Sequence, residues 1–526
     1  MNKILQRILP AIFLLLALYS SAQENINTDN RWGDQGNGKY VNPILNADYS
    51  DPDIIRVGEK YYMVCSDFHF IGMPVLESDD MVNWTIISQV YNKFDFPEWE
   101  TNGRYGGGSW APAIRYHDGK FWVFFCTPHE GLFMSNATDP AGPWAPLVNV
   151  KHVEGWEDPC PFWDEDGQAY LGRSRLGAGP IILHKMSADG TCLLDDGITV
   201  YEGPVAEGTK IHKMNGYYYM SIPEGGVATG WQTVLRSKNI YGPYERKIVL
   251  EPGTTNINGP HQGALVDTPD GEWWFYHFQS KDPLGRIVHL QPVQWADGWP
   301  QIGVDYDKNG VGEPVKEWTK PNTGKTVQIS APQGSDEFST DKLNLQWQFN
   351  HNPVNKNWSL SERSGYLRLK ALIADNLRDS KNMLTQKVMG YMGEASTEID
   401  CSNLIDGQRA GLLCASNLYN AIGVLQEKGM NYIYYESDGK SEKITPVTSS
   451  KVYLKVTLDA NKNKHQLYYS FDNVNFIACK SPYSLRSSDW KGARVGLFSY
   501  NTITDGGIAD FNWFRYTFDG PGLYTK

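Results

Sequence analysis

One local pattern, repeated five times, limits the folds open to this chain more than any other feature. A short strand runs into a tight turn carrying Gly, and the next strand opens on aromatic residues. The copies are Ile54–Met63, Ala113–Phe125, Pro161–Leu171, Thr209–Met220 and Ala264–Tyr276, with turns at Gly58, Gly119, Gly167, Gly216 and Gly271. Three of these turns read Asp-Gly and one Asn-Gly, the strongest short hairpin signals. The turn glycines are 61, 48, 49 and 55 residues apart. A second, weaker hairpin follows the first, as in Val75–Ile87, Leu132–Leu147, Val234–Ile248 and Val288–Ile302. Each repeat therefore supplies about four strands in roughly 50 residues, which is the layout of a propeller blade. A large sandwich or jelly roll would not keep that period. The expected fold is all-β, led by a five-bladed β-propeller.

The repeat accounts for about half of the 526 residues, and a single core stops growing at about 250–300 residues. Residues 303–335, rich in Gly, Pro, Lys and Thr, read as a connector. From Asp336 the alternation of strands resumes without the period, in Tyr366–Leu372, Ala395–Asp400, Lys451–Leu458, Gln466–Ser470 and Ala509–Phe518. This predicts a β-sandwich. At the start, Lys3 and Arg7 precede an apolar run from Ile8 to Leu18, and Ser20-Ser21-Ala22 follows. That order is the pattern of a cleaved export signal, and the run is too short for a membrane span of about 20 residues. The expected division is a signal peptide over 1–22, a propeller over 32–325 and a sandwich over 335–526, in a secreted or periplasmic protein. The seven cysteines are irregularly spaced with no C-x-x-C. Zinc and thioredoxin-type readings therefore fail, leaving buried thiols as the expectation.

A net charge of −12 repels phosphate backbones, so nucleic acid is not an expected partner. An aromatic content of 13% suits strands and also sugar-binding surfaces. In a propeller the first strand of every blade lines the central channel, and its first residue sits at one mouth. About 7–10 residues before the five turn glycines stand Asp51, Trp110, Asp158, Glu207 and His261. Pseudo-symmetry would bring these together. Three carboxyl groups in one enclosed mouth cannot all ionise comfortably. One that keeps its proton can protonate a leaving oxygen, and an ionised one can activate water. Glycoside hydrolysis requires that pair.

The residues around these positions resemble glycoside hydrolase family 43. The resemblance is carried by Asn42-Pro43-Ile44, Tyr49-Ser50-Asp51-Pro52-Asp53-Ile54, Trp110-Ala111-Pro112, Glu157-Asp158-Pro159 and Ala206-Glu207-Gly208. The run from Leu284-Gly285-Arg286 through Leu290-Gln291-Pro292 to Gly298-Trp299-Pro300 is similar to that of its β-xylosidase and α-L-arabinofuranosidase members. The second domain is similar to their C-terminal sandwich, a concanavalin-like jelly roll. The resemblance implies an inverting hydrolase with Asp51 as general base, Glu207 as general acid and Asp158 as the third carboxylate. It implies Arg286 on the sugar, Phe68 and Trp110 as pocket walls and His261 at the axis. It implies no required cofactor, and at most a structural Ca²⁺ reached through water from His261. The expected partner is an oligosaccharide or polysaccharide, with no membrane span, and the expected state a monomer or simple homo-oligomer.

Two departures bear on the substrate. Val227 follows Glu224-Gly225-Gly226 where related β-xylosidases carry Thr, and Arg173-Ser174-Arg175 stands where an aromatic is common. They make removal of terminal α-L-arabinofuranosyl units from plant-wall oligosaccharides the leading expectation. A β-xylosidase is the alternative, and a non-catalytic sugar-binding propeller the rival class. Asp53, on the same strand face as Asp51, competes for the base role. His69 and Phe70 either line the pocket or pack, and the polar segment Ser499–Gly507 is a candidate to close the mouth.

Overall fold

The computed structural model describes residues 30–101 and 104–522; the segment read as a signal peptide lies outside them. Five antiparallel sheets of four consecutive strands follow one another. Blade 1 is Asp53–Val57, Lys60–Val64, Pro74–Ser78 and Thr85–Gln89. Blade 2 is Trp110–His117, Lys120–Thr127, Gly131–Ala137 and Val148–Lys151. Blade 3 is Trp156–Trp163, Ala169–Arg175, Ile181–Met186 and Ile198–Tyr201. Blade 4 is Lys210–Met214, Tyr217–Glu224, Trp231–Ser237 and Glu245–Leu250. Blade 5 is His261–Asp267, Trp273–Lys281, Gly285–Ala296 and Trp299–Ile302. The inner strands of neighbouring blades touch from blade 1 through blade 4; the inner strand of blade 5 meets the second strand of blade 4 and returns to the inner strand of blade 1.

The turns explain the register. Asp118-Gly119 and Asn215-Gly216 are two-residue loops in which both residues have positive φ. A type I′ hairpin turn needs that backbone, and it matches the twist of the flanking strands. Each blade is local in sequence, so no strand exchange closes the ring. A clasp does so instead. Lys39–Val41 pairs with Glu317–Thr319, joining the chain before blade 1 to the chain after blade 5. Asn42 locks the clasp. Its amide donates to Leu290 O at 2.8 Å and Val315 O at 2.9 Å, and its oxygen accepts from Leu290 N at 2.9 Å.

The second all-β region is two facing sheets. One contains Met383–Lys387, Arg494–Asn501, Gln408–Ala415, Tyr419–Glu427, Met430–Ser437 and Lys440–Val447, and the other contains Leu367–Lys370, Ile508–Phe518, Met392–Asp400, Lys451–Asp459, Lys464–Ser470 and Ile477–Ser484. Lys451–Asp459 shows the rule that builds them. Its Val452, Leu454, Val456 and Leu458 are buried and the residues between them are not, because successive side chains on a strand face opposite ways. All seven cysteines are free thiols; six are buried and Cys192 is exposed. Among the described residues, no helix is long and apolar enough to cross a membrane.

The two regions share a core. One apolar cluster runs from Tyr49, Met63 and Ile71 of the propeller to Phe349, Val388 and Met389 of the sandwich. Beside it, Lys387 Nζ of the sandwich lies 2.9 Å from Asp67 Oδ1 of the propeller, with both side chains buried. His69 Nε2 lies 2.9 Å from Asn350 Oδ1, and Arg494 covers the Phe70 ring at 3.9 Å. His69 and Phe70 therefore pack in this interface.

Candidate active site

The mouth of the channel is built by a backbone device that recurs in every blade. Just before or at the start of each inner strand stands one residue in the left-handed region: Asp51 (φ 52°), Ala111 (37°), Asp158 (56°), Gly208 (63°) and Gln262 (33°). In blades 2, 3 and 5 a register shift accompanies it, between Trp110 and Ala113, Glu157 and Cys160, and His261 and Gly263. A bulge of this kind re-aims side chains. A left-handed non-glycine residue costs roughly 1–2 kcal/mol, and such strain gathers at functional sites. The expectation of five equivalent positions needs one refinement. Asp51 and Asp158 are themselves the twisted residues, whereas Trp110, Glu207 and His261 precede them by one. Gly208 has to be glycine, because a Cβ there would run into Gln262 and Pro223.

These residues open on a cavity of about 470 Å³ whose lining includes Asp51, Trp110, Glu157, Asp158, Glu207, His261 and Arg286. Asp51 receives 2.6 Å hydrogen bonds on both oxygens, from Ser66 Oγ and from Arg286 Nη1. Ser66 Oγ also accepts from Ala111 N at 2.6 Å, so one hydroxyl ties the acid of blade 1 to the mouth of blade 2. Arg286 lies over the rings of Phe278 and Phe68 at 4.6 and 5.2 Å, which fixes its plane. Asp158 Oδ2 accepts from Gly208 N at 2.7 Å and from Ser174 Oγ at 3.2 Å. Glu207 Oε1 sits 2.7 Å from His261 Nε2. Carboxyl oxygens of Glu157, Asp158 and Glu207, one from each, all lie within 4.8 Å of one another.

Crowding acids out of water shifts their protonation. Burial, then the nearby Glu207 and Asp51 carboxylates, push Asp158 up to about 7. Burial and the neighbouring Asp158 raise Glu157 further, to about 9. The site thus holds protons at neutral pH close to the carboxyl of Glu207.

Most of the sequence-predicted residues converge. Asp51, Asp158, Glu207, Trp110, His261 and Arg286 all line the cavity. Phe68 does not; only 1% exposed, it packs edge-on under Trp110 at 5.3 Å and supports the wall from behind. Asp53 is fully buried and occupied by Arg115 Nη1 at 2.6 Å and Ile114 N at 2.8 Å, with Lys210 at 3.8 Å. It belongs to the plug of the channel and is no rival base. Arg173 stacks on Trp156 at 3.6 Å and so turns away from the cavity, while its neighbour Ser174 holds Asp158. Ser499–Gly507 stays within the sandwich, where Ser499 N donates to Asn382 O and Gly506 N to Ala371 O.

Trp490, from the turn before Arg494–Asn501, closes the mouth in its place. It lines the cavity and meets the Trp110 ring at 5.0 Å. Arg486 and Ser487 bond Asp282, and Gly492 N donates to Asp48 at 2.9 Å, pinning this turn to the propeller. Sequence reasoning passed over Trp490, since nothing local marks a sandwich turn as part of a propeller site. It also passed over Glu157, although Glu157-Asp158 was in view. At His261, Nε2 is taken by Glu207 and only Nδ1 remains, so calcium, which prefers oxygen ligands, would be held there through water and not by the ring.

Residues 40–300 match the model of glycosyl hydrolases family 43, and residues 335–517 match the beta xylosidase C-terminal concanavalin A-like domain. A protein of Xylanibacter ruminicola named "Putative beta-xylosidase" is 57% identical over 89% of this chain and 88% of its own length. A "Beta-xylosidase" of Formosa agariphila is 39% identical over 93% and 92%. The crystal structure of a family 43 protein of Bacillus licheniformis, the K247S mutant of BlXynB, superposes with a TM-score of 0.79 at 28% identity, covering 91% of this chain and 99% of that one. With the five blades, the sandwich and the gathered acids, these likenesses establish that the chain belongs to glycosyl hydrolase family 43.

Proposed function

We propose that this glycoside hydrolase is an exo-acting, inverting β-xylosidase that removes xylosyl units from the non-reducing ends of xylo-oligosaccharides. The observation that carries the chemistry is the meeting of Asp51, Asp158 and Glu207, from three blades, on one cavity. Asp51, oriented by Ser66 and Arg286, takes a proton from water as that water attacks the anomeric carbon. Glu207, oriented by His261, gives its proton to the leaving oxygen as the glycosidic bond breaks. One displacement leaves the sugar with inverted configuration, and the two carboxyls of such a pair stand about 6.5–9.5 Å apart to admit the water. Asp158, fixed by Gly208 N and Ser174 Oγ, places a third carboxyl beside Glu207 and orients the acid's surroundings. The plugged floor and the Trp110–Trp490 wall favour a chain end over a chain interior.

Xylose as the released sugar rests on the names of both relatives, and it replaces the arabinofuranosyl-first expectation. Arabinofuranosidase activity stays as the second reading because Val227, the residue that departs from related xylosidases, lines the cavity. The test is turnover of 4-nitrophenyl β-D-xylopyranoside against the α-L-arabinofuranoside, with NMR of the first-formed anomer. The proposal expects faster xyloside turnover and α-xylose first. Preferred arabinofuranoside cleavage, or β-xylose first, overturns it.

A further inference from the structure

Glu157 has no part in the acid–base scheme, yet it lies in the wall of the cavity beside two residues that do. It is 4% exposed and lines the cavity with Leu176, Gly177 and Val227. Ala178 N donates to its Oε1 at 2.9 Å, which fixes the carboxyl plane, and Ala178 is itself held in the left-handed region at φ 79°. Among the described residues no cationic side chain pairs with it. Of the two arginines on the adjoining strand, Arg173 is spent on Trp156 and His184, and Arg175, opposite Trp156, is exposed to solvent. Its charged and titratable surroundings are Asp158 on its own strand, Glu207 from blade 4, the Asp51–Arg286 pair across the cavity, and His129 and His261 on the lining. A structural acid is normally paired or exposed; this one is neither, and it faces the place where the sugar must lie.

We propose that Glu157 is a specificity residue, entering the sugar site as a neutral carboxylic acid and donating a hydrogen bond to one hydroxyl oxygen of the bound sugar. This rests on reading the cavity as the sugar site. A protonated carboxyl is both donor and acceptor, so it satisfies a hydroxyl more completely than an ion would, and burial beside Asp158 keeps it in that form. Rising pH removes the donor and places a further negative charge beside Asp158 and Glu207. Sugar binding should then weaken on the alkaline side.

The test uses the full chain with 4-nitrophenyl β-D-xylopyranoside and its 2-, 3- and 4-deoxy analogues. Glu157→Ala is expected to raise KM by about fivefold, the worth of one neutral hydrogen bond, with kcat less affected. Glu157→Gln, always neutral and still a donor, is expected to recover most of that loss and to flatten the alkaline rise in KM. For one deoxy xyloside, the wild type and Glu157→Ala should become equal. An unchanged alkaline rise in KM in Glu157→Gln, or an equal Glu157→Ala penalty on every analogue, overturns the inference. Absence of wild-type turnover on any xyloside would instead remove the functional reading beneath it.

Discussion

At the scale of single residues, two acids are held by different means and should fail differently. Asp51 is clamped by Ser66 and Arg286, and Glu207 by His261. Asp51→Asn and Glu207→Gln keep the side-chain shape but remove the base and the acid. Each is expected to lower kcat by about 10²–10⁴-fold; the melting temperature should hold in Glu207→Gln and fall in Asp51→Asn, which strands the Arg286 charge, as steady-state kinetics and calorimetry would show. Asp158 gives a prediction in pH. Its folded-state value is raised to about 7, above the unfolded value of about 3.9. The folded chain therefore binds more protons between those limits, and stability falls as pH climbs from about 4 through about 7. Asp158→Asn removes that contribution. Its melting temperature should gain on that of the wild type as pH rises from 4 to 8, and an unchanged difference would contradict the assignment.

At the scale of elements, the propeller is a set of local hairpins whose ring is secured by one non-local clasp. The blades fold from neighbouring segments, but Lys39–Val41 reaches across the chain to Glu317–Thr319. Asn42 supplies three of the hydrogen bonds that hold it. Asn42→Ala leaves buried backbone groups of Leu290 and Val315 without that partner. A cost of about 1–3 kcal/mol is expected for such a loss, visible as a lower urea midpoint while activity at low temperature survives. The five turns and the sandwich alternation were legible because each is a short-range pattern. Lys451–Asp459 was placed to within a residue, since period-two burial writes itself into the sequence. The clasp was not legible, because three residues pairing across a long separation leave no periodicity.

At the scale of the whole molecule, the sandwich is part of the catalytic architecture. Its Trp490 walls the cavity, and its Lys387 enters a buried ion pair with Asp67. Removing one member of a buried pair strands the other charge, at about 3–5 kcal/mol. Lys387→Met alone should therefore destabilise strongly and, by loosening the domain junction, raise KM as well. Adding Asp67→Asn should recover part of both losses. A double-mutant cycle in stability and in KM checks this, and additive losses would show the two residues to be uncoupled.

The sequence by itself determined the architecture and the acids: hairpin turns, strand alternation and five short motifs are local, and local patterns survive in one dimension. It also drew Asp51, Asp158, Glu207, Trp110, His261 and Arg286 towards one mouth, because pseudo-symmetry is a periodicity that can be counted. Only the tertiary structure decided which residues the cavity admits. Phe68 and Asp53 share strands or neighbourhoods with the site, but packing turns the first behind Trp110 and an ion pair holds the second below. Trp490 arrives from a different domain. Direction and long-range contact depend on how blades and sandwich dock, and burial, which sets the protonation of Asp158 and Glu157, exists only once they have.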